Sequence, residues 1–258
     1  MNMVVCIKHV PDTESKIRVS PDCSGIVTEG LNFVLNPYDE FAVEEAIRIK
    51  EKNPGSKVVV VCIGPEDATK SIRTCLAMGA DDAVHVLDAE YQKFDGIATA
   101  RCLAAVLKDV PFDIVLCGKQ AVDDDCAQVG PALAEFLGIP DVSVITKLET
   151  GSGKITVERE IEGANEVVEC VLPALVTAQK GLNEPRYPSL PNIMKAKKMP
   201  VKTVPIDDLN LGPEGAAKVE PVTFAEPAAR KAGRVLEGEP AEVVKQVIKL
   251  LIEEAKVL

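Results

Sequence analysis

The chain reads as an α/β protein: a parallel sheet covered by helices, with a β-hairpin region and an extended C-terminal arm. Three observations predict this. Short aliphatic runs alternate with helical patterns at the lengths of βαβ units. The composition is 47% hydrophobic, with 3% aromatics and no tryptophan, so the core must come from Val, Ile, Leu and Ala. Central parallel strands, aliphatic on both faces, suit that supply. Finally, the apolar run Phe112 to Cys117 leads into Gly118, a polar loop and a helical pattern from Ala132 to Leu137. Strand, glycine, loop and helix is the layout of a nucleotide-binding turn in such a sheet.

In chain order, Met3 to Lys8 (MVVCIK) is a buried strand and Val10 to Thr13 the loop at its end. Lys16–Ser20 and Ile26–Thr28 flank the turn Pro21 to Gly25 as a hairpin. A helix runs from Pro37 to about Lys52, with Asn36 as N-cap and Pro37 in the first position. Asp39, Glu40, Glu44 and Glu45 load its early turns with negative charge. Lys57 to Ile63 is the next strand; a helix from about Ala68 to Met78 follows, stopped by Gly79. Asp82 to Leu87 is a strand containing His85, a packed or edge histidine, and Ile97 to Leu107 is helical. With right-handed crossovers, a pocket belongs beyond the C-terminal strand ends, where Cys6, Asn36, Ile63 and Gly118 onward would converge.

The stretch Gly118 to Pro131 (GKQAVDDDCAQVGP) is the most informative. Gly118 lets backbone approach a ligand, and the amides around Gln128 to Gly130 would meet a phosphate at a helix N-terminus. Asp123, Asp124 and Asp125 put carboxylates beside that anion site. Either they turn away, toward ribose hydroxyls and backbone caps, or the site is not for phosphate. The competing reading is a surface loop with Asp125 as N-cap.

A formal charge of −11 argues against nucleic-acid binding. Eight scattered cysteines with no C-x-x-C and two histidines make a poor metal-ligand set. Free cysteines at this density fit a reducing compartment. No signal peptide and no apolar run of membrane-spanning length is visible, so the expectation is a protein without membrane insertion.

After Pro140, Val142 to Glu149 and Ile155 to Glu160 alternate around Thr150 to Gly153 as a hairpin; Val167 to Leu172 and Ala174 to Ala178 add strands. Gly151-Ser152-Gly153-Lys154 lacks the spacing of a phosphate loop and reads as a turn. No dinucleotide fingerprint, nucleophile elbow or zinc-protease motif occurs. Asn183 to Pro200 is proline-rich, then basic. Its apolar Leu190, Pro191, Ile193 and Met194, rimmed by Lys195, Lys197 and Lys198, read as a solvated helix end or a docking surface. From Met199 to about Gly238 little regular structure is expected, as in an arm lying on a partner, and Pro240 to Leu258 is an amphipathic helix.

The blocks NPYDEFAVEEA (36–46), RTCLAMGADDAVHV (73–86), GKQAVDDDCAQVG (118–130), VEREIEGANEVVECVLPALVTA (157–178) and NEPRYPSLPNIMKAKK (183–198) resemble, in collinear order, the β subunit of electron transfer flavoproteins. The resemblance implies a Rossmann-like core of the adenine nucleotide alpha hydrolase type over residues 1–198, and an arm and helix over 199–258 packing on an α subunit. It implies a non-catalytic electron carrier. An FAD held mainly by the α subunit would take electrons from flavin dehydrogenases, such as acyl-CoA dehydrogenases, and pass them to a quinone oxidoreductase. It implies AMP held by Cys6, Asn36, Pro37, Tyr38, Asp39, Ile63, Gly118, Lys119, Gln120, Ala121, Val122, Asp123, Asp124, Asp125, Cys126, Ala127, Gln128 and Val129. It also implies that 183–198 is a recognition loop whose Leu190 enters a pocket on the dehydrogenase. The implied location is the cytoplasm of a bacterium, or the mitochondrial matrix of a eukaryote.

Relatives that hold a second FAD in place of AMP, and split electron pairs from NADH, tend to read DGDTAQVGP in the loop. Asp124 and Cys126 follow the AMP type; Ala127 to Pro131 follow the other. The resemblance favours AMP. A stand-alone adenine-nucleotide module is opposed by the long arm, and a nucleotide-dependent ligase by the missing phosphate loop and the acidic 123–125.

Overall fold

The computed structural model describes residues 1–229 and 232–258; Arg230 and Lys231, within the expected arm, lie outside the described residues. The first half alternates strand and helix: β1 (Asn2–Ile7), β2 (His9–Pro11), β3 (Phe33–Leu35), α1 (Pro37–Lys52), β4 (Lys57–Gly64), α2 (Thr69–Met78), β5 (Asp82–Leu87), α3 (Gly96–Leu107), β6 (Ile114–Gly118) and α4 (Val129–Leu137). The second half holds β7 (Asp141–Thr150), β8 (Lys154–Ile161), β9 (Ala164–Val171), β10 (Ala174–Ala178), α5 (Leu190–Ala196), β11 (Lys202–Pro205) and α6 (Pro240–Leu250).

Among the described residues a nine-stranded sheet runs in the order β11-β5-β4-β1-β6-β10-β7-β8-β9. The pairings from β11 to β7 are parallel, and β7-β8-β9 is an antiparallel meander. The chain steps from β1 to β4 to β5 on one side, then returns to place β6 on the other side of β1. Strand order therefore reverses between β1 and β6, the place where open α/β sheets form their ligand crevice.

Alternation along β1 explains the two cores. Met3, Val5 and Ile7 join α1 and α2 on one face, with Ile47 and Ile72. Val4 and Cys6 join α3 and α4 on the other, with Leu103 and Leu133. Val4, Val5, Val60, Leu116 and Val176 are fully buried, each stabilising the fold by about 1.5–3 kcal/mol. His85 is buried as expected, its Nε2 3.1 Å from the Gly64 carbonyl.

Four expectations need correction. The hairpin over 16–28 reduces to one antiparallel bridge, Val19 with Ile26. The loop expected from Val10 begins instead inside β2, which pairs antiparallel with β3. Asn36 precedes α1, but its side chain does not cap the helix. The stretch after Met199 is not all irregular, because β11 adds an edge strand beside β5. KTVP is too short, and too close to proline, to stand out from its neighbours. Downstream, α6 passes into a wider turn over Leu251–Ala255 with no buried residue in either piece.

Candidate functional site

Three segments meet at the C-terminal edge of β1 and β6. Lys8 follows β1, α1 begins at Pro37, and the loop after Gly118 leads to α4. Asn36 and Asp39 fasten them together. The Asn36 amide nitrogen donates to the Gln120 carbonyl (2.9 Å) and its Oδ1 accepts from the Val122 N–H (3.1 Å). Its Nδ2 also donates to Asp39 Oδ1 at 2.9 Å. A residue expected to cap a helix instead spans to a loop more than eighty positions away. Capping statistics cannot reveal this, because they register only the local use of Asn.

Asp39 is buried among N–H donors. Its Oδ2 accepts from the Lys8 N–H at 2.7 Å and its Oδ1 from the Gly118 N–H at 3.1 Å. Burial pushes its carboxyl up to about 7, against the pull of the Lys8, Asn36 and Gly118 N–H groups. Gly118 has no room for a side chain: a Cβ there would sit 2.2 Å from Asp39 Oδ1 and 2.8 Å from the Tyr38 carbonyl carbon. At Gly130, in the first turn of α4, a Cβ would meet Thr177 Cγ2 at 2.5 Å. Both glycines serve close approach rather than a special φ.

The carboxylates of the loop have separate partners. Lys8 Nζ bridges Asp123 Oδ1 (2.8 Å) and Asp124 Oδ2 (2.9 Å). Burial pulls the Lys8 ammonium down, but Asp123 and Asp124 together hold it above the usual lysine range. Asp124 Oδ1 also accepts from the Cys126 N–H at 3.0 Å. Asp125 does not cap α4. Its φ is +52°, its Oδ1 accepts from Gln120 Nε2 at 2.5 Å, and α4 starts four residues later, at Val129, with Gln128 at the cap position and no side-chain cap. Ala127 also has positive φ, at +53°. Lys119 Nζ lies 5.8 Å from the Tyr38 ring centroid.

Of the residues expected at the cleft, Asn36, Asp39, Gly118, Gln120 and Val122 are bound to one another, and Asp123 and Asp124 join through Lys8. Cys6 and Ile63 sit buried near the ends of neighbouring strands. Cys6 pairs in register with Cys117, and contact with Cys6 and burial hold the Cys117 thiol well above its usual range. Cys126, Ala127 and Gln128 are exposed. Lys8, the first charge after an apolar strand and one of the strand ends expected at the cleft, joins this junction through Asp123 and Asp124, a role its position alone does not reveal.

The second cluster, residues 183–198, is tied to α1 through Glu44 and to α2 through Arg73. Tyr187, Leu190, Ile193 and Met194 are exposed, Leu190 by 73%. Pro191, Lys195, Lys197 and Lys198 are exposed beside them. The helix is short and starts from Ser189, whose hydroxyl accepts from the Asn192 N–H. A cavity of about 310 Å³ opens beneath it, lined by Lys50, Leu76, Asp81, Asn192, Lys195 and Met199 among others. Among the described residues no group of three or more His, Cys, Asp or Glu is arranged to hold a metal ion, and no helix is long and apolar enough to cross a membrane.

The family described as electron transfer flavoprotein domain matches residues 24–209, more than half of the chain. The chain is 45% identical over 260 residues to the electron transfer flavoprotein subunit beta of Bacillus subtilis strain 168, covering 100% of both. It is 43% identical over 235 residues to the human protein of that name, covering 90% of this chain and 91% of the human one. Against that of Thermoanaerobacterium thermosaccharolyticum it is 41% identical over 257 residues, covering 97% and 98%.

Proposed function

The chain belongs to the electron transfer flavoprotein family as a β subunit, and from that premise we propose that it is a structural partner in a mobile electron carrier. It pairs with an α subunit, holds AMP at the loop after Gly118, and docks on flavin dehydrogenases through residues 183–198. Bound FAD, held mainly by the α subunit, supplies the redox chemistry that links those dehydrogenases to a quinone oxidoreductase. This chain contributes position and electrostatics.

The observation that carries the nucleotide assignment is the fastening of 118–122 by Asn36 and Asp39 at the strand-order reversal. The uncapped start of α4 supplies N–H groups and a favourable dipole for a phosphate. Asp124 favours AMP over a second FAD. Its carboxylate ties Lys8 to the Cys126 N–H, and a loop with glycine at that position has no such tie.

Denaturing the copurified complex and extracting its cofactors tests this. One FAD and one AMP per complex is the expected result. Two FADs with no AMP would move the chain to the NADH-oxidising type, and nucleotide bound by a stable lone chain would make it a free-standing module. For docking, Leu190→Ala should leave both cofactors in place and slow reduction by the partner dehydrogenase by about tenfold or more, as loss of a central anchor does. Stopped-flow reduction with an acyl-CoA dehydrogenase reads this, and an unchanged rate would remove the docking assignment.

A further inference from the structure

The docking assignment places Leu190 on a helix of seven residues. A helix that short does not hold itself together in water, and prolines at 185, 188 and 191 deny the segment backbone donors. Its shape must come from what it is tied to, and both ends are tied by arginines.

At the N-terminal end, Arg186 lies along α1 across two turns. Its Nε donates to Glu44 Oε2 (2.8 Å), and its NH2 to Glu44 Oε1 (3.1 Å) and Glu51 Oε2 (3.0 Å). Its NH1 donates to Glu51 Oε1 at 2.6 Å, and its backbone N–H to Glu44 Oε2 at 3.2 Å. Glu44 is only 2% exposed and also accepts from Arg48 Nε at 2.8 Å. Burial pushes the Glu44 carboxyl up, but Arg186 and Arg48 outweigh it and hold it below the usual range. Arg48 donates as well to the Glu184 carbonyl, and Asn183 Nδ2 to the Phe41 carbonyl and Glu45 Oε2. At the other end, Arg73 of α2 donates to the Ala196 and Met199 carbonyls, closing α5 over buried Ala196. Between the clamps stand Tyr187, 97% exposed, and Leu190.

We propose that Arg186 and Arg73 are positioning residues for docking: they hold the apolar tip in its binding shape before the partner arrives. The inference rests on the docking assignment above. An anchor presented on an ordered segment avoids the cost of ordering it during association. The effect therefore belongs in recognition, not in the electron-transfer step.

The test uses the copurified heterodimer as electron acceptor for an acyl-CoA dehydrogenase. Arg186→Lys keeps the charge but loses the planar fork, and Arg73→Met removes the second clamp without touching Glu44. Each should raise KM for the carrier about tenfold at unchanged kcat, as expected if ordering cost is moved into binding, with cofactor content unchanged. Hydrogen exchange over 183–199 should speed up in both. Because the clamps act through Leu190, adding Arg186→Lys to Leu190→Ala should cost little beyond Leu190→Ala alone. An unchanged KM in both clamp variants, a drop confined to kcat, or a fully additive double variant would overturn the inference while leaving docking intact. A silent Leu190→Ala would overturn both.

Discussion

Gly118→Ala is expected to cost about 3 kcal/mol or more and to empty the proposed nucleotide site; both parts follow from one contact. The new methyl would lie 2.2 Å from Asp39 Oδ1 and 2.8 Å from the Tyr38 carbonyl carbon. Asp39 cannot rotate away without releasing the Lys8 and Gly118 N–H groups it accepts from. Tyr38 cannot retreat without moving the start of α1. Overpacking costs about 1–3 kcal/mol, and a buried donor left unpaired about as much again. Denaturant unfolding of the heterodimer should show a lowered midpoint, and extraction should show loss of the proposed adenine nucleotide while the FAD proposed for the α subunit is retained. A variant with wild-type midpoint and nucleotide content would mean that β6 and α1 are not packed this tightly.

That contact also marks where the sequence stops being readable. The strands and helices of the first half are legible because each is fixed by its own pattern. KVVVVCI is aliphatic on both faces, and Pro37 and Gly79 punctuate helices by local chemistry. The short edge strand β11 lacks such a pattern and owes its conformation to the free edge of β5. The loop after Gly118 was legible as a place, but not as a set of bonds. Asn36 and Asp39 look like helix-start residues in any local window, yet their side chains serve Gln120, Val122 and Gly118, far along the chain. The same holds for Glu44, an ordinary first-half helix acid until the fold brings Arg186 against it. The exposed apolar face at Leu190 was visible in sequence because it breaks a solvated pattern; the arginines that shape it were not, since each pairing spans more than a hundred residues.

Asp39→Asn is expected to flatten the pH dependence of stability while weakening retention of the proposed nucleotide. In the folded chain burial lifts the Asp39 carboxyl to about 7, from an ordinary value of 3.8. An acid whose folded pKa is raised keeps its proton longer in the folded state. The stability tied to that proton is complete below about pH 4, falls as the pH rises, and is lost above about pH 7. Over that window the wild type should lose up to about 4 kcal/mol relative to a variant that cannot ionise there. Unfolding of wild type and Asp39→Asn heterodimers from pH 4.5 to 8, at one protein concentration, reads the difference, in which other titrating groups cancel. Parallel curves would show that Asp39 is not the group responsible. The amide should nevertheless fail at the site once Asp39 is ionised, because the ionised carboxylate accepts N–H bonds on both oxygens and an Asn can accept on one side only. Its NH2 would face either the Lys8 N–H or the Gly118 and Asn36 donors, loosening the junction from which the loop springs. A buried carboxylate is thus a poor choice for stability at neutral pH and a good one for holding three segments in register. The stability lost above pH 4 is the cost of a loop after Gly118 that is already shaped for its proposed nucleotide.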